Sequence, residues 1–117
     1  MEYIDGFVAA VSNDKKEDYI AFARQAAAVF KDHGATRIVE CWGDDVPDGE
    51  TTSFPMAVKR GENETVVFSW VAWPSKEARD KGNEKVMADP RLKDMDEHVP
   101  FDGSRIIYGG FQMVLDE

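Results

Sequence analysis

The segment Thr65–Trp73 (TVVFSWVAW) constrains the fold of this chain more than any other. Its β-branched and aromatic residues favour a strand. Both faces of that strand are apolar, with Val66, Phe68, Trp70 and Ala72 on one side and Val67, Val71 and Trp73 on the other. Such a strand belongs inside a sheet covered twice. If helices cover one face, something else must cover the second.

The remaining elements arrange themselves around it. Tyr3 to Val11 reads as a first strand, ended by Ser12-Asn13-Asp14, which can cap a helix and place acids at its positive end. Tyr19, Phe22, Ala23, Ala26, Val29 and Phe30 then recur at helical spacing, and Gly34 stands where a left-handed residue closes the helix. Thr36 to Asp44 alternates as a strand, with Ile38, Glu40 and Trp42 on one face. Thr52 to Lys59 also alternates, which predicts a further strand at a sheet edge or an irregular stretch, because Pro55 removes a ladder donor. Ser75 caps a second helix that runs to Asp89-Pro90, weakened by roughly 1 kcal/mol at Gly82. A helical turn is expected over Arg91–Met95, and Arg105–Leu115 forms the last strand. The order is the βαββαβ of a ferredoxin-like α+β domain, an antiparallel sheet with both helices on one face. The second face of the Trp70 segment would then be bare, and a second copy of the chain is the simplest cover. Homodimerisation through the sheet face is the expectation.

Charge and cysteine content narrow the class of function. With 14 Lys plus Arg against 23 Asp plus Glu, the net charge is −9, which disfavours nucleic acid and anionic membrane surfaces as partners. The 117 residues suit a single domain spanning 1–117. Cys41 is the only cysteine, so neither an intrachain disulfide nor a thiolate metal cluster can form, and the start of the chain lacks the basic and apolar regions of a signal peptide. A cytoplasmic protein is expected.

The stretches VECWGDDVPDG (Val39–Gly49), FSWVAWPSKEARD (Phe68–Asp80), ADPR (Ala88–Arg91) and VPFDGSRIIYGGF (Val99–Phe111), with YIDGFV from Tyr3, resemble the YbaA-like family, a conserved bacterial domain of unknown function. The resemblance spans nearly the whole chain and implies a dimeric α+β barrel. It carries over no reaction, substrate or catalytic residue. Similar dimeric barrels include cofactor-independent monooxygenases, lactone isomerases, haem enzymes and ligand-sensing domains, an analogy of fold only.

Four residues are candidates for proton transfer. Asp5 lies in the apolar first strand and is either a perturbed base or a carboxylate satisfied by backbone or arginine. Glu40, flanked by Ile38 and Trp42, is either a second base or the partner of Arg37 from the other subunit or of Arg105. Tyr108 is either an orienting hydroxyl or a core tyrosine, and His98 stands in an acidic loop. Trp42 and Trp70 are candidates to wall an apolar pocket or to be plain core, and Gly109 and Gly110, beside Gly6, would let a ligand, a partner subunit or a bulge approach the sheet. His33 is expected to cap the first helix, and Cys41 to be an inert thiol. No metal site and no cofactor is expected. Two functions remain open. One is a homodimer binding a small apolar or aromatic metabolite in a helix-to-sheet cleft, with cofactor-independent chemistry; the other is a non-catalytic binding or interaction protein.

Overall fold

A computed structural model describes all 117 residues. Strand β1 (Tyr3–Ser12) passes through a short 3₁₀ turn into helix α1 (Lys16–Asp32), and the Ser12 hydroxyl accepts the Asp14 N–H at the junction. Gly34, at φ 108°, then turns the chain into β2 (Arg37–Trp42). Helix α2 (Phe54–Ala57) precedes β3 (Glu64–Trp73), α3 (Lys76–Ala88) and α4 (Pro90–Asp96) follow, and β4 (Ile107–Gln112) ends the fold. All strand pairs are antiparallel, in the order β2-β3-β1-β4. The twofold apolar strand β3 and the likewise apolar β1 therefore occupy the centre.

One sheet face carries α1 and α3. Ala9, Val11 and Val67 pack there against Tyr19 and Ala23 of α1, and Val71 and Trp73 pack with Ala35, Phe7 and Phe30. Trp73 is completely buried, and α3 crosses it backbone-first at Gly82. A methyl group at that glycine would run into the Trp73 ring and lie 2.7 Å from the His33 carbonyl oxygen.

Residues 52–59 correct the expectation of a strand. Ser53 accepts the Met56 N–H at 3.1 Å and Pro55 fills the first turn of α2, where its missing N–H costs nothing. This excursion covers one end of the second sheet face, because Val58 is fully buried against Val8, Ala10 and Val66. The last strand is also shorter than expected: Arg105 sits in a 3₁₀ turn, where its guanidinium meets both Glu64 oxygens at 2.8 Å. His33 closes α1 as expected, but its Nε2 also lies 2.8 Å from Asp89, tying α1 to the α3–α4 junction.

The Arg105 guanidinium, helped by the Gly61 N–H, holds the Glu64 carboxyl down from its ordinary 4.5 to about 2. A folded-state value below the unfolded one gives stability that is present above pH 4.5 and lost as pH falls towards 2. Glu64→Gln is accordingly expected to lower Tm at pH 7 and to approach the parent as pH falls through that window. Parallel lines of Tm against pH for the two chains would count against the pairing.

Candidate functional site

A partly enclosed cavity of about 170 Å³ lies between α1 and the sheet. Ala23, Ala26 and Ala27 of α1 line it with small side chains at helical spacing, which leave room beside the sheet. Phe7, Phe22, Phe30, Ile38, Val71 and Phe101 supply most of the bulkier walls. Three polar side chains, Tyr19, Glu40 and Ser69, interrupt this apolar lining.

Their alignment is set by strand register. Glu40 on β2 faces Ser69 on β3, and the Tyr19 hydroxyl of α1 donates to Glu40 Oε1 at 2.5 Å. Glu40 keeps part of its side chain in water while its carboxyl end meets the buried Tyr19 and Ser69. Desolvation raises the Glu40 pKa above the ordinary carboxylate value, against the pull of hydrogen bonds from Tyr19 and Ser69. Burial, then the neighbouring Glu40 charge, pushes the Tyr19 phenol well above its usual range. A carboxyl with a raised pKa, sharing a short hydrogen bond at the wall of an apolar cavity, is suited to accept or return a proton.

The other candidates do not join it. Asp5, 5% exposed, is engaged on both oxygens: Arg79 Nη2 and Nε reach Oδ1 at 2.8 and 3.1 Å, and Trp73 Nε1 reaches Oδ2 at 2.9 Å. Tyr108 is 76% exposed on the edge strand, stacked on Phe7 at 6.3 Å. His98 borders a separate open surface hollow with Lys15, Asp18 and Asp94. Glu40 pairs with Tyr19 rather than with Arg105, which is taken by Glu64 and Asp102.

The expectation of one pocket walled by both Trp42 and Trp70 is corrected. Register sets Trp42 opposite Val67 on the helix side, where it packs on Tyr19 with Lys16 over its ring, and sets Trp70 opposite Gly6 and Val39 on the other face. The two late glycines part in the same way. Gly109 lies with Gly6 beneath the Phe111 ring on the open face, whereas a side chain at Gly110 would strike the Tyr3 hydroxyl and Arg79 Nη2 at 2.6 and 2.7 Å. Gly110 thus leaves room for Arg79 to reach Asp5. Cys41 is exposed beside Phe68 on that open side.

Sequence reasoning passed over Tyr19, Ser69 and Phe101 as site residues. Ser69 carried a signal, being the one polar residue on the inward face of β3 between Val67 and Val71. Tyr19 carried a weaker one, as a hydroxyl on an apolar helix face needs a partner. Phe101 carried none, because a loop phenylalanine cannot be placed against Tyr19 and Phe22, 6.0 and 5.9 Å away, without the fold.

The open face holds a larger hollow of about 600 Å³, a broad apolar trough floored by Gly6 and Gly109 and walled by Ile4, Phe68, Trp70, Ile107 and Phe111. It lacks charged side chains. Size favours this trough as a site, yet the polar chemistry lies in the smaller cavity. No group of three His, Cys, Asp or Glu side chains is placed to hold a metal ion, and no helix is long and apolar enough to cross a membrane.

A four-stranded antiparallel sheet with helices on one face defines a ferredoxin-like α+β protein. Solved structures share it at low sequence identity: an uncharacterized NIPSNAP domain protein from Burkholderia xenovorans (TM-score 0.62, 14% identity, covering 96% of this chain and 94% of that one) and a Nitrosomonas europaea protein provisionally named an antibiotic biosynthesis monooxygenase (TM-score 0.59, 12% identity, 97% and 90%). The chain belongs to the YbaA-like family, described as "Protein of unknown function (DUF1428)", which matches residues 2–103. It is 60% identical to Uncharacterized protein YbaA of Escherichia coli strain K12 and of Shigella flexneri, over all 117 residues and the full length of each relative.

Proposed function

We propose that this protein is a homodimer that binds a small, mostly apolar molecule in the cavity between α1 and the sheet, with Glu40, hydrogen-bonded to Tyr19, exchanging a proton with it. The observation that carries this reading is an unfilled helix-to-sheet layer with a carboxyl of raised pKa in its wall. A purely structural layer would be packed to crystal density, because each void forfeits contacts. Here Phe7, Phe22 and Phe30 border a space instead of filling it.

The second copy is assigned to the open trough. Phe111 is 60% exposed there and Phe68 and Ile107 more than 40%, a contiguous apolar patch free of charge in a chain of net charge −9. Two such faces can meet about a twofold axis without bringing like charges together at their centre. The NIPSNAP and monooxygenase names of the fold relatives are compatible with a cavity-binding protein and no more specific than that.

One set of samples tests both parts. Sedimentation equilibrium at micromolar concentration is expected to give twice 13.2 kDa, and Trp70→Asp to give monomer or insoluble chain. A thermal-shift screen against metabolites, lactones, quinones, fatty acids and haem is expected to yield a saturable rise in Tm that Glu40→Gln weakens. A mass near 13 kDa removes the dimer. A silent library removes the cavity reading and favours a non-catalytic interaction protein, whereas hits indifferent to Glu40 remove its proton-exchange role.

A further inference from the structure

We propose that the ligand of the Glu40 cavity is a single-ring hydroxylated aromatic, its ring held between Phe22, Phe30 and Ile38 and its hydroxyl donating to the Glu40 carboxylate. The inference rests on the reading of this cavity as a binding site and adds the chemistry of what enters it.

Volume sets the first limit. The space is about 170 Å³, and an apolar cavity of about 150 Å³ accepts benzene. One ring with a small substituent fits within this space, whereas a fused two-ring compound or a fatty chain would have to extend through its open side. Wall chemistry sets the second limit, because aromatic and aliphatic side chains face the space on nearly every side and bring no positive charge. An anionic ligand such as a benzoate would enter beside Glu40 with no cation to meet it.

The polar atoms set the third limit. Tyr19 already gives its proton to Glu40 Oε1, so its hydroxyl is committed and cannot serve a ligand acceptor without breaking a 2.5 Å bond. What the site still offers is the acceptor capacity of the carboxylate, with Ser69 beside it. A ligand matching that end must donate, and a phenolic hydroxyl combines a flat apolar body with one good donor at its rim.

The test is isothermal titration of the full chain at pH 8 with phenol, toluene, benzaldehyde, benzoate and 2-naphthol. The inference expects phenol to bind about tenfold more tightly than toluene, as for a hydrogen bond to a charged acceptor. It expects benzaldehyde to gain nothing over toluene, benzoate not to bind, and 2-naphthol to bind more weakly than phenol because its second ring must leave the space. Ala26→Leu, which fills the space and leaves the polar residues intact, should abolish binding of both phenol and toluene. Glu40→Gln should bring phenol close to toluene. The comparison of probes on the parent chain stands even if a variant does not fold.

Toluene equal to phenol, or benzaldehyde above both, overturns the donor requirement while leaving the cavity as a binding site. Binding of 2-naphthol as tight as that of phenol, and blocked by Ala26→Leu, overturns the single-ring preference in the same way. Silence of every probe overturns this inference, and the reading of the cavity falls with it only if the broader thermal-shift library is silent too.

Discussion

Asp5→Ala is expected to destabilise the protein by about 3–5 kcal/mol, the range for removing one partner of a buried ion pair, which for a domain of this size lowers Tm by roughly 10–20 °C. The carboxylate is the common acceptor for Arg79, for the indole N–H of the fully buried Trp73 and, at 3.5 Å, for Asn83. Alanine leaves the Trp73 N–H with no partner and strands a guanidinium whose side chain is only 24% exposed. Arg79 retains its stacking over the Tyr3 ring at 5.1 Å but loses its bidentate hold on β1. Asp5→Asn should cost less, since the amide oxygen can still accept from Trp73 while the charge pairing is lost. Urea denaturation of the three chains checks the ranking. A loss below about 1 kcal/mol for alanine would mean that water replaces the carboxylate at Arg79, the outcome typical of a surface pair. Because Asp5 lines neither hollow, Asp5→Asn is also expected to leave ligand binding unchanged.

Gly82→Ala is expected to reverse the usual sign of a helix substitution. Propensity alone credits alanine with about 1 kcal/mol over glycine inside a helix. In this fold the added methyl would overlap the Trp73 ring, with Cη2 at 2.6 Å, and approach the His33 carbonyl oxygen at 2.7 Å. Neither neighbour has room to retreat, since Trp73 is completely buried and held by Asp5 and the His33 carbonyl is backbone. Helix α3 must lift off the sheet, an overpacking cost of typically 1–3 kcal/mol that exceeds the propensity gain. Tm should fall, and near-ultraviolet circular dichroism should report a disturbed Trp73. A rise in Tm would show that α3 shifts freely and that the glycine is dispensable.

These two sites show what was legible in the sequence and what was not. Asp5 stood out as an acid in an apolar strand, and an arginine partner was one of its two readings, yet nothing in the spacing from 5 to 79 identified Arg79 as the residue that meets it. Gly82 read as a weak point of its helix because local propensity sees only the helix and not the indole beneath it. The Thr52–Lys59 alternation read as a strand for a similar reason. Period-two patterning cannot register that Ser53 caps and Pro55 begins a turn, or that Val58 is needed as a cover for Val8 and Ala10.

The sequence by itself determined the element types of the long segments, the antiparallel ferredoxin-like arrangement and the central place of β3. These follow from local hydrophobic period and capping chemistry, which act within a few residues. Only the tertiary structure decided which faces meet. Strand register put Trp42 and Trp70 on opposite sides of the sheet, separated Gly109 from Gly110, and brought Glu40 and Ser69 beneath Tyr19. A shift of one residue in pairing would exchange every one of those faces while leaving the hydrophobic pattern of each strand almost unaltered. The cavity is likewise a tertiary product. Its alanines read as an ordinary helix face, and the space appears only where that face stands off from the sheet and Phe101 arrives from a distant loop to close it.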